Sequence, residues 1–546
     1  MYIAQTGGIL ETSLLSSKRF IEKEIDKIAF FADVGFIEIS HPTMKNMQRI
    51  TLKNIEFQNS TDLQFIKNAK MTIASSIVNK IAVNDRIKVI GKLMPYKTAA
   101  IPMAFDQAQY NALIKMDASG IVFYAKKINS GDKDFFTHLR MRLTNFIVEK
   151  MGKDIGGVAS ALLTGDKSSI SPAIRASFIN SGTAHILAIS GFHMSLIASI
   201  FFFIFLKIGL YLRLQHTRKF AALITIILTY LYLALSGFSP SAIRAFIMTT
   251  VCLIGIILGK GSVSMRSISL AAFIILLFDP ASLFLVSFQL SFCAVTALIS
   301  FYEKYKNHNS KLHPTLKYIT ASLITTIIAS IATFPISVAT FNRYSGISGL
   351  LGNLIAMPLT SIIIMPLGII CLVFGGFYEG LIKILKTAIK ILIECVSWVS
   401  TIPGSSLTIK SPQIETLYIL IIGGIILCVL QTKLRSIGAG LIGIATLLWI
   451  FEKKPNLIIP PDTSEACLVK EGEFYVTSLQ KARNKFLAIQ RNLGLSGKLN
   501  KIDKRDIPIE LKRYEQGLFC WIENGKITKT RQIAKRKHPY CPAVFA

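Results

Sequence analysis

The central part of the chain is a series of long apolar segments separated by short polar ones. Between Ile186 and Ile450, apolar runs of about 17 to 25 residues recur, each long enough to cross a bilayer as a helix. The regions before and after contain no such runs. The pattern predicts a polytopic α-helical membrane protein, with a transmembrane domain over 184–452, about nine or ten spans and two soluble flanks.

The spans and their direction are both predicted from this pattern. Two of the spans are short and meet at Pro280, which breaks a helix, so one of them is a candidate re-entrant segment. Basic loops are expected in the cytoplasm, which leaves the residues before His185 and the tail after Phe451 outside. The basic loops are 213–219, 259–267, 302–317 and 431–436. The spans are 184–211, 220–237, 243–259, 267–279, 282–301, 318–340, 347–374, 380–401, 415–430 and 436–451.

The region before the membrane alternates apolar and polar positions with the period of a β-strand. Five strand candidates bounded by turn residues lie within 32–128, and a helix candidate, AFDQAQYNALI, precedes the last of them. This arrangement predicts a small β-barrel of OB type. The flanking segments are predicted as an amphipathic lead helix (1–31), amphipathic helices at the membrane surface (129–183) and a small mixed α/β tail domain (453–546).

The excess of basic residues and the absence of metal-binding and nucleotide-binding motifs restrict the classes of function that the sequence allows. The chain of 546 residues carries 61 Lys and Arg against 31 Asp and Glu. In a membrane protein such an excess orients the spans, and it also suits a surface that meets anionic lipid or a polyanion. The sequence has eight cysteines but no CxxC pair and no GxxxxGK[ST] motif, so we expect no cofactor, no metal site and no ATPase or metallo-hydrolase activity. A disulfide between Cys520 and Cys541 stays open.

Polar side chains inside apolar spans are costly, and they are therefore the candidate functional residues. His185 and His193 stand on either side of Ser190 and Gly191 in SGTAHILAISGFHMSL. Three interpretations compete: an interfacial turn that caps a helix, a metal pair that lacks a third ligand nearby, or the lining of a polar path.

Similar polar residues in other spans favour the polar path. They are Ser241, Arg244, Gln289, Ser291 and Asn353. Asn353 stands between Gly352 and Pro358, where the sequence predicts an interrupted helix. Arg244 also suits a simpler role, because an arginine near the end of a span reaches the interface.

Several motifs resemble a known family. SGTAHILAISGFHMSLIA, LLTGDKSSISPAIRASFINSG, LSGFSPSAIRAFIM and TFPISVATFNRYSGISGLLGNLIAMPL resemble the motifs of the ComEC family, the inner-membrane channel of bacterial DNA uptake, in the family's order. The chain lacks the hydrophobic spans with which family members usually begin and the histidines of their metallo-β-lactamase-like ending. A truncated start and a non-working copy are both left open.

The resemblance implies an OB-type domain outside the inner membrane and a membrane domain that passes one DNA strand inward. The implied partners are single-stranded DNA, membrane lipid, a separate DNA receptor, an ATP-driven motor and a second copy of the chain as a homo-oligomer. Phosphate attraction and base stacking on the barrel are expected of Arg86, Lys88, Lys92 and Tyr96, with Phe105 and Tyr110 as further candidate stackers. A transporter of a small solute is the alternative, although the sequence shows no repeated halves.

Overall fold

The computed structural model describes the barrel, the membrane domain and parts of the tail. The described ranges are 24–38, 47–57, 66–78, 81–96, 107–130, 135–259, 264–305, 313–374, 379–430 and 432–452, with Leu63 and, in the tail, 457–458, 467–470, 473–476, 500–501, 518–523, 526–532 and single residues between 487 and 495. The candidate stacker Phe105 and most of the predicted lead helix lie outside these residues.

Five strands before the membrane domain close into a barrel in the order β1-β2-β3-β5-β4. Neighbouring strands are antiparallel except β3 and β5, which are parallel. Alternate positions point inward, as at Ile87, Val89 and Leu93 of β4, which are fully buried. The elements are β1 Ile25–Glu38, β2 Met47–Phe57, β3 Ala69–Ala74, α1 Ser75–Val78, β4 Arg86–Met94, α2 Gln107–Leu113 and β5 Ala118–Asn129.

The start of the barrel corrects one prediction. The lead helix was predicted to reach residue 31, but β1 begins at Ile25. Phe30, Ala32 and Val34 alternate into the barrel interior, and β1 pairs with both β2 and β4. Pairing on both sides and burial of one face outweigh the helical pattern of the local sequence. The helix predicted before the last strand is present as α2.

Three helices lead from the barrel to the membrane domain. They are α3 Phe135–Met151, α4 Lys153–Leu163 and α5 Pro172–Asn180. Ser171 caps α5 by accepting a hydrogen bond from the backbone of Ile174 at 3.4 Å, with Pro172 at the first helical position. Proline is favoured at the first helical position because the N–H that it lacks would have no partner within the helix.

The membrane domain contains helices of different lengths and polarity. In the part of the chain that the structure describes, six helical segments are long and apolar enough to cross a bilayer: Gly191–Tyr211, Thr217–Leu235, Pro240–Ile257, Val286–Lys304, Thr320–Phe341 and Gly346–Leu372. The helices are α6 Gly191–Tyr211, α7 Thr217–Leu235, α8 Pro240–Ile257, α9 Met265–Phe278, α10 Val286–Tyr305, α11 Pro314–Phe341, α12 Gly346–Pro358, α13 Met365–Phe374, α14 Glu379–Thr401, α15 Ile414–Val429 and α16 Arg435–Phe451.

Four further predicted spans lie on helices outside that set. Helices α9, α15 and α16 are apolar but shorter than a full crossing. Helix α14 is long enough but amphipathic: Leu385, Ile389 and Leu392 are buried, while Lys383 and Lys390 are exposed. The predicted total of nine or ten spans therefore stays a prediction.

One apolar core joins the elements that surround the candidate site. Leu162 of α4, Phe178 of α5, Ile197 of α6, Ala356 of α12 and Leu385 of α14 belong to the same buried cluster. The helices that carry the candidate polar residues are thus held by shared packing rather than by sequence proximity.

The described part of the tail forms a six-stranded sheet in the order β11-β10-β9-β8-β12-β13. Strands of this sheet lie in the stretches EGEFYVTSL and LFCWIENGKITK, within the predicted mixed α/β tail domain. The strands are β8 Leu457–Ile458, β9 Cys467–Lys470, β10 Glu473–Val476, β11 Asn500–Lys501, β12 Leu518–Glu523 and β13 Lys526–Gln532. A two-stranded sheet within the membrane domain pairs β6 Arg343–Tyr344 with β7 Leu407–Thr408.

Candidate functional site

Residues 181–190 form a turn rather than the first part of a membrane helix. The sequence predicted a span from residue 184, but α6 begins only at Gly191. The hydroxyls of Ser181 and Thr183 are buried and lie 2.7 Å apart, and the Ser181 hydroxyl also donates to the carbonyl of Phe178. Satisfying these groups within the turn favours it over a helix that starts earlier.

Two glycines let this turn pack directly against the backbone of α12. Gly182 has a φ of +73°, and a Cβ there would lie 2.8 Å from the Cα of Gly349. A Cβ at Gly352 would lie 2.7 Å from the carbonyl oxygen of Ser181. No larger residue fits either position, so the 181–190 turn and α12 form one rigid contact.

The two ring nitrogens of His193 have different surroundings in this structure. Ser190 is the N-cap of α6, and its backbone N–H donates to Nδ1 of His193 at 3.4 Å, while its hydroxyl lies 3.1 Å from the same nitrogen. The side chain is only 1% exposed, and Nε2 is buried with no hydrogen-bond partner among the described residues. The capping interpretation therefore accounts for Nδ1 but leaves Nε2 unexplained.

His185 is not beside His193 on a helix, as the sequence assumed. It lies in the 181–190 turn, where part of its surface is exposed, and it remains within electrostatic range of His193. The prediction that the two histidines share one face assumed a continuous helix from residue 184. Because α6 starts after Ser190, His185 and His193 do not share a helical face.

Helix α8 joins the same turn through Ser241. Its hydroxyl donates to the carbonyl of Ile189 at 2.9 Å. One helical turn further, Arg244 is 4% exposed, and its Nε has no partner among the described residues. The phenol of Tyr110, on barrel helix α2, lies within electrostatic range of this guanidinium. Arg244 is thus buried between the barrel and the membrane helices, not extended along an interface.

Asn353 lies on α12, one residue after the contact at Gly352. Its Oδ1 is buried and unpaired within the described part of the chain. The interruption predicted near Pro358 is absent: α12 passes through a π-helical turn, Leu359–Ile364, into α13. A π-turn accommodates the missing N–H of a proline without ending the helix.

Gln289 and Ser291 belong to a different region of the domain. The Gln289 amide donates to the carbonyl of Leu283 at 3.1 Å, at the end of the 3₁₀ helix Pro280–Phe284. Its neighbours Phe288 and Phe292 pack in a second apolar cluster with α9. No described contact brings Gln289 or the half-buried Ser291 to the 181–190 turn.

The basic residues proposed on the barrel mostly have acidic partners. Arg86 pairs with Asp33 at 3.0 Å and with Glu56 at 2.5 Å. Lys92 pairs with Glu24 and Asp26, which raise the pKa of its ammonium group. These cations are neutralised locally and are poor candidates for phosphate contacts.

Lys88 and Tyr96 differ from that pair. The Lys88 ammonium lies 5.8 Å from the centre of the Phe31 ring. Tyr96 is half-buried, and burial raises the pKa of its phenol above the ordinary value, so it is no open stacking platform.

The sequence analysis did not include Phe123 and Tyr124 of β5 among the candidate stacking residues, although both are exposed. Strict alternation would have placed one of them inward.

No group of three or more His, Cys, Asp or Glu side chains that could hold a metal ion occurs among the described residues. Within that part of the chain, the site is built from neutral polar groups, one arginine and one histidine. Such groups can hold an anion or an extended polar chain by hydrogen bonds and charge.

The comparison with known proteins identifies the family. The model of a family described as "Competence protein" matches residues 162–434, half of the chain. This chain belongs to the ComEC family of competence proteins. The matched residues include the 181–190 turn and the buried groups of α6, α8 and α12, so the site lies within the part that defines the family.

Three curated relatives give the extent of the similarity. "ComE operon protein 3" of Bacillus subtilis is 27% identical over 286 residues, 51% of this chain and 34% of the relative. "Recombination protein 2" of Haemophilus influenzae is 22% identical over 480 residues, 83% of this chain and 57% of the relative. "Uncharacterized protein YcaI" of Escherichia coli is 27% identical over 212 residues, 37% of this chain and 27% of the relative.

The chain spans between about a third and somewhat over half of the length of the first two of these relatives. No solved structure matches this one at a significant level.

Proposed function

We propose that this protein is the inner-membrane channel through which a single strand of DNA enters the cell during transformation. The observation that carries the proposal is a set of buried polar atoms around the 181–190 turn that have no partner among the described residues, within the segment that matches the competence family. They are Nε2 of His193, Nε of Arg244 and Oδ1 of Asn353, on α6, α8 and α12. Unpaired polar groups in a bilayer are expected to have a ligand or a water-filled path as partner.

The chemistry of these atoms suits a strand in transit. A phosphodiester presents one negative charge per nucleotide, which Arg244 attracts, while sugars and bases offer donors and acceptors to neutral groups. A passage lined by many cations would hold the strand too tightly to release it. A single arginine with a histidine and an amide provides attraction without a deep energy minimum.

The contacts between loops support the predicted orientation. The loops 236–244, 341–348 and 402–413 carry less charge than the basic loops, and the first two of them contact the segment that leads into α6. Ser345 donates to the carbonyl of Ile179 at 3.4 Å, and Ser241 to that of Ile189. Ser348 bonds the carbonyl of Ser405 in the third such loop. These loops therefore share one side with residues 162–189, and by the positive-inside rule that side is the outer one.

The barrel is proposed to be an OB-type domain at the same outer side. Its helix α2 contacts the 3₁₀ helix Pro280–Phe284, and Leu113 packs with Leu285 and Phe288. This contact, together with Tyr110 near Arg244, joins the barrel to the membrane domain beside the proposed path. The tail would follow α16 outside as well, and the driving energy would come from a separate ATP-driven partner.

The test is DNA uptake in the bacterium that carries the gene. Deleting the gene should abolish transformation and entry of fluorescent DNA, and the wild-type copy should restore both. Arg244→Met, which keeps the length but removes the charge, should lower uptake at least about tenfold, since a buried charged hydrogen bond contributes about 1.5–3 kcal/mol. Arg213→Met, an exposed arginine between α6 and α7, is the matched control and should leave uptake unchanged.

The outcomes separate this function from its alternatives. A deletion strain that transforms normally would refute the channel and leave a solute transporter or a non-working copy. A deletion phenotype restored fully by Arg244→Met would keep the channel but remove Arg244 from the path.

A further inference from the structure

The barrel has an exposed face where β1, β4 and β5 lie side by side. Phe31 on β1 is opposite Lys88 on β4, and Lys88 is opposite Lys126 on β5. These three side chains form a continuous row on the outside of the barrel, since their sequence neighbours Phe30, Ala32, Ile87 and Val89 are fully buried. A ring and two cations thus stand next to one another across three strands.

A β-bulge adds two aromatic rings to this row. Ile90 pairs with Tyr124 and the next residue, Gly91, pairs with Val122, so Phe123 is an extra residue in β5. Val122 points inward and is 4% exposed, whereas Phe123 and Tyr124 are each 51% exposed. Without the bulge, adjacent residues would point to opposite faces. The bulge therefore presents two neighbouring rings to solvent, at a point where a folded soluble surface usually has polar residues.

The charges around the rings are not balanced. The carboxylates of this region are already engaged: Asp33 and Glu56 by Arg86, and Asp85 by Lys127 at 2.8 Å. Lys88 and Lys126 have no carboxylate partner among the residues that the structure describes. The face, defined here as Phe31, Lys88, Phe123, Tyr124 and Lys126, thus combines stacking surfaces with unneutralised cations.

We infer that this β1–β4–β5 face binds single-stranded DNA, with bases stacked on Phe123 and Tyr124 and phosphates held by Lys88 and Lys126. The inference rests on the proposed function and adds the place where the strand is held before transfer. Unpaired bases offer flat π-faces to exposed rings, and the phosphates that alternate with them match cations a few ångströms away. A duplex hides its bases and would use only the two lysines.

The experiment measures oligonucleotide binding by the purified full chain in detergent. The probes are fluorescent oligothymidine of about fifteen nucleotides and an abasic strand of equal length. Phe123→Ser and Tyr124→Ser should each weaken oligothymidine binding at least about fivefold. Neither should change binding of the abasic strand, which has no bases to stack. Tyr124→Phe keeps the ring and should bind as the wild type does.

The lysines are tested by salt dependence. Lys126→Ala should lower the slope of log affinity against log salt by about 0.7, the value for one phosphate contact on a single strand. Lys53→Ala, an exposed lysine on β2, is the matched control and should leave the slope unchanged.

Two results would overturn the inference. One is wild-type affinity for oligothymidine in both serine variants; the other is equal weakening for the abasic strand, which would mean that stacking is not involved. Failure here is distinct from failure of the channel. If the wild type supports transformation but the face variants bind DNA normally, the channel stands and only this binding face is wrong.

Discussion

Replacing His193 with leucine separates two roles of this residue, helix cap and ligand of the transported strand. In the folded protein, Nδ1 accepts a hydrogen bond from the backbone of Ser190, and Nε2 is buried without a partner among the described residues. Leucine cannot cap, so the Ser190 backbone N–H loses this acceptor, but leucine also removes the buried Nε2 that has no partner among the described residues. The two effects on the free energy of unfolding have opposite signs.

The magnitudes decide which effect is larger. Loss of an N-terminal capping interaction costs about 0.5–2 kcal/mol, and the 3.4 Å separation places this bond near the lower end. Removing a buried polar atom that has no partner recovers about 1–3 kcal/mol. We therefore expect His193→Leu to leave the free energy of unfolding unchanged or to raise it by about 1 kcal/mol, while DNA uptake falls.

Two measurements on the same variant test this reasoning. Thermal unfolding of the purified chain in detergent reports stability, and transformation frequency reports uptake. Ser195→Leu is the control, because Ser195 lies on the same helix, is exposed, and its hydroxyl bonds only the carbonyl of Phe192 among the described contacts. It should affect neither quantity. Normal uptake with normal folding would refute the lining role, and a loss of stability of about 1–2 kcal/mol would mean that His193 is chiefly a cap.

Three further predictions concern packing, charge and orientation. Gly182→Ala should lower the free energy of unfolding by about 2–5 kcal/mol, since it strains a positive φ and places a Cβ 2.8 Å from the Cα of Gly349. Gly443→Ala is the control in the same melting assay and should not destabilise the protein, because no atom lies within 4 Å of the Cβ that it adds. Arg86→Ala should cost about 0.5–2 kcal/mol in urea unfolding, less at high salt, because both of its ion pairs are partly exposed; an unchanged salt dependence would contradict this. A membrane-impermeant thiol reagent added to intact spheroplasts should label Phe238→Cys but not Gln215→Cys, and the reverse result would invert the topology.

The local sequence pattern was sufficient to predict the structure where the periodicity of apolar residues, or a short motif, determines an element. The strand periods of the barrel, the Ser171–Pro172 helix start and the apolar runs of α6, α7 and α8 are all readable from neighbouring residues. The family motifs around His185 and His193 are likewise contiguous in sequence, which is why the family was recognisable before the fold was known.

Local sequence was insufficient where distant segments set the outcome. Ile25 is in a strand because Leu93 of β4 pairs with it on the folded barrel, and no neighbouring residue signals that. Gln289 was expected to point toward a polar path, but the nearby carbonyl of Leu283 satisfies its amide. Arg86 and Lys92 appeared as free cations because their acidic partners are on other strands.

The sequence by itself determined that this is a membrane protein of the competence type with a strand-rich domain before the membrane, because hydrophobic period and contiguous motifs are local properties. Only the tertiary structure decided which polar groups are buried without partners among the described residues and which aromatic rings are exposed. His193, Arg244 and Asn353 come from three helices, and the exposure of Tyr124 depends on a bulge defined by pairing with β4. Burial and pairing are relations between segments far apart in the chain, so no window of sequence contains them.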